Sequence, residues 1–358
     1  MQSEFAASQS ETEATLVEAE TKQEDSGAKL ANSDAKQADA KAAWENPLIP
    51  NARLRAICHA MTLVRTLEKS LPAAKRARTI GLGAKRETTV GLEACLVSTA
   101  ADLGPGDLVS DALAGGTLEF LRGTALSEIL QSGNAVGPGK RRKRVRSTAG
   151  EYGAAGQLPT AAGRLPGAAD ATERIWAALG AAAALKTAAA RARAEDKTED
   201  SVEGGTARQA GVVVVYVMAG ELSDLLWKRI LKFSVDHELP VIFIVLQKVQ
   251  GRDDKVRTAS VGGVNALALH CGVPAIVVDS DDAVAIYRVA QESIGHARIG
   301  GGAALIECVP FVLKEVAGKS GVKTDAIAGL EQTLVQRGVA TRAWMVREAK
   351  LFAKRLAR

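Results

Sequence analysis

Aromatic residues make up only 4% of this 358-residue chain, and histidines number four. Proteins that stack nucleobases depend on aromatic side chains, and histidine is the commonest metal ligand and proton shuttle. Both classes of site are therefore poorly supplied from the outset. Cysteine is equally sparse: Cys58, Cys95, Cys271 and Cys308 stand apart from one another in apolar surroundings. Without paired spacing they read as reduced core residues, neither a disulfide frame nor a metal cluster. No apolar run approaches the ~18 residues of a membrane span, and no apolar leader opens the sequence, so a cytoplasmic protein with no membrane partner is expected.

What is present is a large apolar inventory, 47% of residues, enough for a substantial core. Charge is distributed unevenly. Residues 1–45 hold ten acids and four bases, a net −6, so the remainder must carry +11 to reach the overall +5. That first segment is rich in Ala, Ser and Gln and poor in large apolar residues. It is expected to be a disordered, solvated tail preceding one domain over residues 46–358.

The rest of the chain is organised around residues 211–247, GVVVVYVMAGELSDLLWKRILKFSVDHELPVIFIVLQ. Residues 212–217 form a continuous β-branched and aromatic run, expected for a strand covered on both faces. After the turn at Met218-Ala219-Gly220, Leu222, Leu225, Leu226, Ile230 and Phe233 recur at helical spacing. Pro240 ends that helix, lacking an amide hydrogen, and Val241–Leu246 is a second buried strand. Strand, helix and strand make a right-handed βαβ unit. Ligands bind at the carboxyl ends of such strands, here residues 218–221 and 247–248.

Flanking segments extend the pattern. An amphipathic helix is expected over residues 54–71, carried by Leu54, Ile57, Met61, Val64 and Leu67. A basic segment (75–86), a helix (88–103), a short strand (108–110) and an alanine-rich helix (175–190) follow, with a charged excursion over 191–208. Beyond the βαβ unit come a polar loop (250–257), a helix (264–271) and a third buried strand (274–279). Asp281 or Asp282 caps a helix over 283–297, strand 304–309 follows, and two helices separated by Gly338 fill 325–357. Alternating helices and apolar strands mean an α/β fold with a mainly parallel sheet. The densest charge run, KRRKRVR at 140–146, lies between glycine-rich flanks. It is a candidate contact for phosphates or an anionic polymer. It lacks interleaved aromatics, so nucleic acid is not expected as a partner.

In this order the segments resemble the alpha subunit of thiamine diphosphate-dependent 2-oxo acid dehydrogenases, the pyruvate and branched-chain dehydrogenase first component. The resemblance is carried by LRAICHAMTLVRTLEKSL, VGLEACLVSTAADLGPGDLVS, LRGTALSEIL, HELPVIFIVLQ, ALALHCGVPAIVVDSDDAVAIYRVAQESIGHAR, ALIECV and DAIAGLEQTLVQRGVAT. It implies the thiamine diphosphate-binding α/β fold and pairing with a beta subunit in a heterotetramer. It also implies a Mg²⁺ ion that holds the cofactor diphosphate.

The residues implied for that chemistry are largely missing. The family motif opens Gly-Asp-Gly and closes on Asn after the next strand, the Asp and Asn being the Mg²⁺ ligands. Here the triplet is Met218-Ala219-Gly220, so the carboxylate is lost, and the closing position is Gln247. A hard cation draws most of its binding energy from such a carboxylate. Glu221 is the nearest replacement, offset by two residues. The family's Tyr-Arg-Asp-His-Gly stretch has become DALAGGT at 111–117, and its histidine-bearing loop has become PFVLKEV at 310–316. Trp176 replaces a small turn residue, and with Met218 it is expected to fill the cofactor channel. His59, His237, His270 and His296 fall on helices and read as structural.

The leading expectation is a non-catalytic, alpha-subunit-like scaffold or regulatory protein with no catalytic residues, no metal site and no cofactor. Gly220, Glu221 and Gln247 are its degenerate cofactor-binding positions. Its expected partner is a beta-like subunit or a second copy. One alternative is an active dehydrogenase using thiamine diphosphate and Mg²⁺ through Glu221 and Gln247. The other is an anionic-polymer binder working through the basic run at 140–146.

Overall fold

The computed structural model describes residues 48–70, 89–111, 116–124, 129, 162–165, 170–196, 210–247, 263–310 and 325–356. In chain order the elements are α1 (Asn51–Ser70), α2 (Glu93–Ala100), β1 (Leu108–Ser110), α3 (Gly116–Leu121), β2 (Gly163–Arg164) and α4 (Ala171–Asp196). Then come β3 (Val213–Met218), α5 (Asp224–Asp236), β4 (Val241–Leu246), α6 (Val264–His270), β5 (Ala275–Asp279) and α7 (Ala283–Arg298). The chain ends with β6 (Ala304–Val309), α8 (Ala326–Gln336) and α9 (Arg342–Leu356).

The strands form one six-stranded sheet in the order β2-β1-β3-β4-β6-β5, parallel throughout. The central run is buried on both faces because alternate residues serve two cores. Val212, Val214 and Tyr216 pack with α1, α2, α7, α8 and α9 on one side. Val213, Val215 and Val217 pack with α4, α5 and α6 on the other. The α/β fold with a mainly parallel sheet is as expected. The β1 connection leads outward to β2, whereas the β3 connection leads the opposite way to β4. This reversal opens a crevice beyond the carboxyl ends of β1 and β3, where doubly wound sheets take their ligands.

Several boundaries depart from expectation for identifiable reasons. Helix α2 starts at Glu93 because Gly91 adopts φ +89° and its N–H donates to the Glu93 carboxylate at 2.9 Å. Helix α4 starts earlier than its alanine run, since the Asp170 side chain accepts the Glu173 N–H at 3.0 Å and caps it. It also runs on into the charged stretch, ending at Asp196. Strand β2 is two residues long, too short to leave a periodic signal. Strand β5 is only partly buried: it is the sheet edge, with Ile276 45% exposed while Val278 stays in the core. Gly211 is required as glycine, because a Cβ there would collide with the carbonyl of Gly106.

Cys58, Cys95 and Cys308 are buried free thiols and Cys271 is half-buried. Among the described residues no helix is long and apolar enough to cross a membrane. The acidic segment 1–45, the basic stretches 75–86 and 140–146 and the polar loop 250–257 lie outside the described residues.

Candidate functional site

The crevice beyond β1 and β3 is built from Ser110 and Asp111 on one strand end and residues 218–221 on the other, with Gln247 following β4. Backbone bonds hold the second half firmly. The Ala219 N–H donates to Leu246 O at 2.8 Å, and the Gln247 N–H donates to Cys308 O at 3.2 Å. Gly220 turns the chain at φ +82°, a conformation glycine adopts without strain.

Glu221, the carboxylate nearest to the expected metal position, is already engaged. Nη2 of Arg174 donates to both of its oxygens, at 2.9 and 3.0 Å, and the Met218 N–H donates to Oε2 at 3.0 Å. Arg174 belongs to the first turn of α4 and is only 4% exposed, against 25% for Glu221. A guanidinium held against both oxygens is a strong, charge-assisted contact. It also places a fixed positive charge against the Glu221 carboxylate. The opening motif thus presents Ala219 with no ligand atom on its side chain, Glu221 already paired with a guanidinium and a backbone amide, and Gln247 with an uncharged amide.

The expectation that Trp176 and Met218 fill the channel is not met. The Trp176 ring packs edge-on against Phe233, with centroids 5.3 Å apart, in the groove between α4 and α5, and remains 38% exposed. Trp176 is one turn-fraction beyond Arg174 on α4, so when Arg174 points to the crevice the indole is rotated onto the outer flank. Met218 leans into the apolar core instead. Open space lies over Gly220, where a Cβ would meet no atom within 4 Å.

Residues 112–115 of the DALAGGT stretch and residues 311–316 of PFVLKEV lie outside the described residues. Thr117, which closes that first stretch, is buried and shares a hydrogen bond of 2.9 Å with Thr89. Its hydroxyl also donates to Glu68 at 3.1 Å. Glu68 is fully buried at the end of α1. Its signal was in the sequence, four residues after Val64 on the apolar stripe of that helix. Arg174 left a fainter signal, a lone cation ahead of an alanine-rich helix. At the β2 end, Arg164 pairs with Glu119 at 2.6 Å. Burial, aided by the Arg164 charge, pushes Arg122 below its ordinary value.

The four histidines lie on helices or at a helix end, as expected. His59 faces Glu348 at 3.6 Å and the Trp344 ring, and burial holds its imidazole below the usual value. Among the described residues no three His, Cys, Asp or Glu side chains converge closely enough to hold a metal ion.

The family model for the dehydrogenase E1 component matches residues 58–314, more than half of the chain. The chain is also similar to the alpha subunit of acetoin:2,6-dichlorophenolindophenol oxidoreductase from Bacillus subtilis (strain 168), with 35% identity over 74 residues. That stretch is 20% of this chain and 22% of the relative, so the similarity spans about a fifth of either protein.

Proposed function

The chain belongs to the dehydrogenase E1 component family, and we propose on that premise that it is a non-catalytic, alpha-subunit-like member, a scaffold or regulatory subunit. The observation that carries this reading is the Arg174–Glu221 pair. The only carboxylate at the opening of the cofactor motif is engaged on both oxygens by a buried guanidinium and on one by a backbone amide. Thiamine diphosphate with Mg²⁺ is the group the family implies, and this donor set does not suit it. A divalent cation needs several oxygen ligands with negative charge among them. Here it would meet a methyl group, a neutral amide and an ion pair that it would have to break.

The scaffold reading also accounts for what is kept. The strand and helix cores that build a subunit are intact, while the polar residues at the strand ends are the ones replaced. A beta-like subunit or a second copy of the chain is the expected partner. A beta-like subunit would not restore the missing carboxylate, because the metal site of this family belongs to the alpha chain.

The test is native mass spectrometry of the protein purified gently from its own host. A complex with a beta-like subunit, or a homodimer, carrying no thiamine diphosphate is the expected result. A complex retaining thiamine diphosphate and Mg²⁺ would overturn the reading and restore the dehydrogenase.

A further inference from the structure

The outer face of α9 is strongly basic and partly apolar. Val346 and Leu351 are 52% and 50% exposed, and Arg342, Arg347, Lys350 and Lys354 surround them along a shallow groove of about 500 Å³. The one acid in the middle of this helix, Glu348, points the other way, towards His59 of α1. Among the described residues no carboxylate forms an ion pair with any of the four cations, and Glu331 of α8 reaches Arg342 only through its longer-range field. Four like charges on four turns repel one another, and two large apolar side chains remain in water beside them. An acidic, partly apolar segment would relieve both costs.

We propose that this face is occupied by the chain's own N-terminal segment, residues 11–25, ETEATLVEAETKQED. That segment carries six acids and one base, and places Leu16 and Val17 among its carboxylates. Its charge and its apolar pair complement the groove in kind and in sign. Chain geometry favours the same match. Helix α1 begins at Asn51 beside the start of α9, since Arg55 donates to Val339 O at 3.2 Å and the His59 ring rests on Trp344. Residues 26–50 separate the segment from α1, and a coil of that many residues would span ~25–30 Å end to end, comparable to the ~22 Å length of α9. A tether of matching span places the segment at an effective concentration near millimolar, so modest contacts suffice to hold it. A segment without a core of its own can still dock in this way, ordering only against its partner surface.

The test uses the intact chain with a photo-crosslinking phenylalanine analogue in place of Leu351, an exposed position whose replacement leaves the core untouched. Irradiation should yield crosslinks within one chain to residues 11–25, mapped by peptide mass spectrometry. They should fall at least tenfold in 0.5 M salt and in the full-length variant E11Q/E13Q/E18Q/E20Q/E24Q/D25N. Crosslinks that run between chains, or that reach other segments only, would overturn the proposal. So would crosslinks that persist unchanged when the six acids are neutralised.

Discussion

Arg174 and Glu221 depend on each other unequally. Removing the carboxylate with E221Q strands a guanidinium that is only 4% exposed, and should cost about 2–4 kcal/mol. R174Q leaves Glu221 with the Met218 amide and a quarter of its surface in water, so about 1–2 kcal/mol is expected. Urea unfolding of both variants checks this, and equal losses would mean that the buried charge is not the dominant cost. His59 gives a pH-dependent counterpart. Burial depresses its folded pKa below the ordinary 6.5, with Glu348 opposing, so the unfolded chain binds the proton more readily. Stability is therefore full above pH ~6.5 and declines as pH falls through that value towards the folded pKa. Between pH 7.5 and 5 the wild type should lose more unfolding free energy than H59Q. A constant difference across that range would exclude His59 as the source.

At the scale of elements, local chemistry sets the boundaries. Asp282 caps α7, its side chain accepting the Val284 and Ala285 amides at 3.0 and 2.9 Å. D282A should lower stability by about 1 kcal/mol, while D282N keeps the acceptor and should stay within a few tenths. Thermal unfolding monitored by circular dichroism distinguishes them. Strands β3, β4 and β6 and helices α1, α5, α7, α8 and α9 were legible from periodicity alone, because each pairs a strong apolar pattern with a clear stop. The run PAIVVD predicts a buried strand for β5, because its composition is the same whether or not a neighbour covers it. Its edge position follows from sheet order, and no local pattern records that. Helix α2 is shorter than its pattern over 88–103 predicts, because a single left-handed glycine, Gly91, outweighs the helical pattern around it.

On the proposed reading the whole molecule keeps a parallel sheet with a crevice beyond β1 and β3, while its motif positions do not supply the ligands that the resemblance implies. If the scaffold is preserved, the ligands can be returned to it. The triple variant R174Q/A219D/Q247N should acquire Mg²⁺-dependent thiamine diphosphate binding, with Kd at or below about 1 mM, and the native chain should give no such binding when both are compared by calorimetry. R174Q is needed because a fixed cation beside Glu221 would oppose Mg²⁺. Failure of the correctly folded triple variant to bind would mean that the crevice itself has changed shape.

The sequence by itself determined the class of fold, the central βαβ unit and the presence of Met218-Ala219-Gly220 at the turn that follows β3. Each of these is written in neighbouring residues or in a fixed spacing. Tertiary structure decided the rest. Glu221 meets a partner 47 residues earlier in the chain, Trp176 turns away from the crevice onto Phe233, and open space remains above Gly220. These outcomes depend on how α4 rotates against β3 once both faces of the sheet are covered, and that rotation is settled by packing across the whole core rather than by any one stretch of chain.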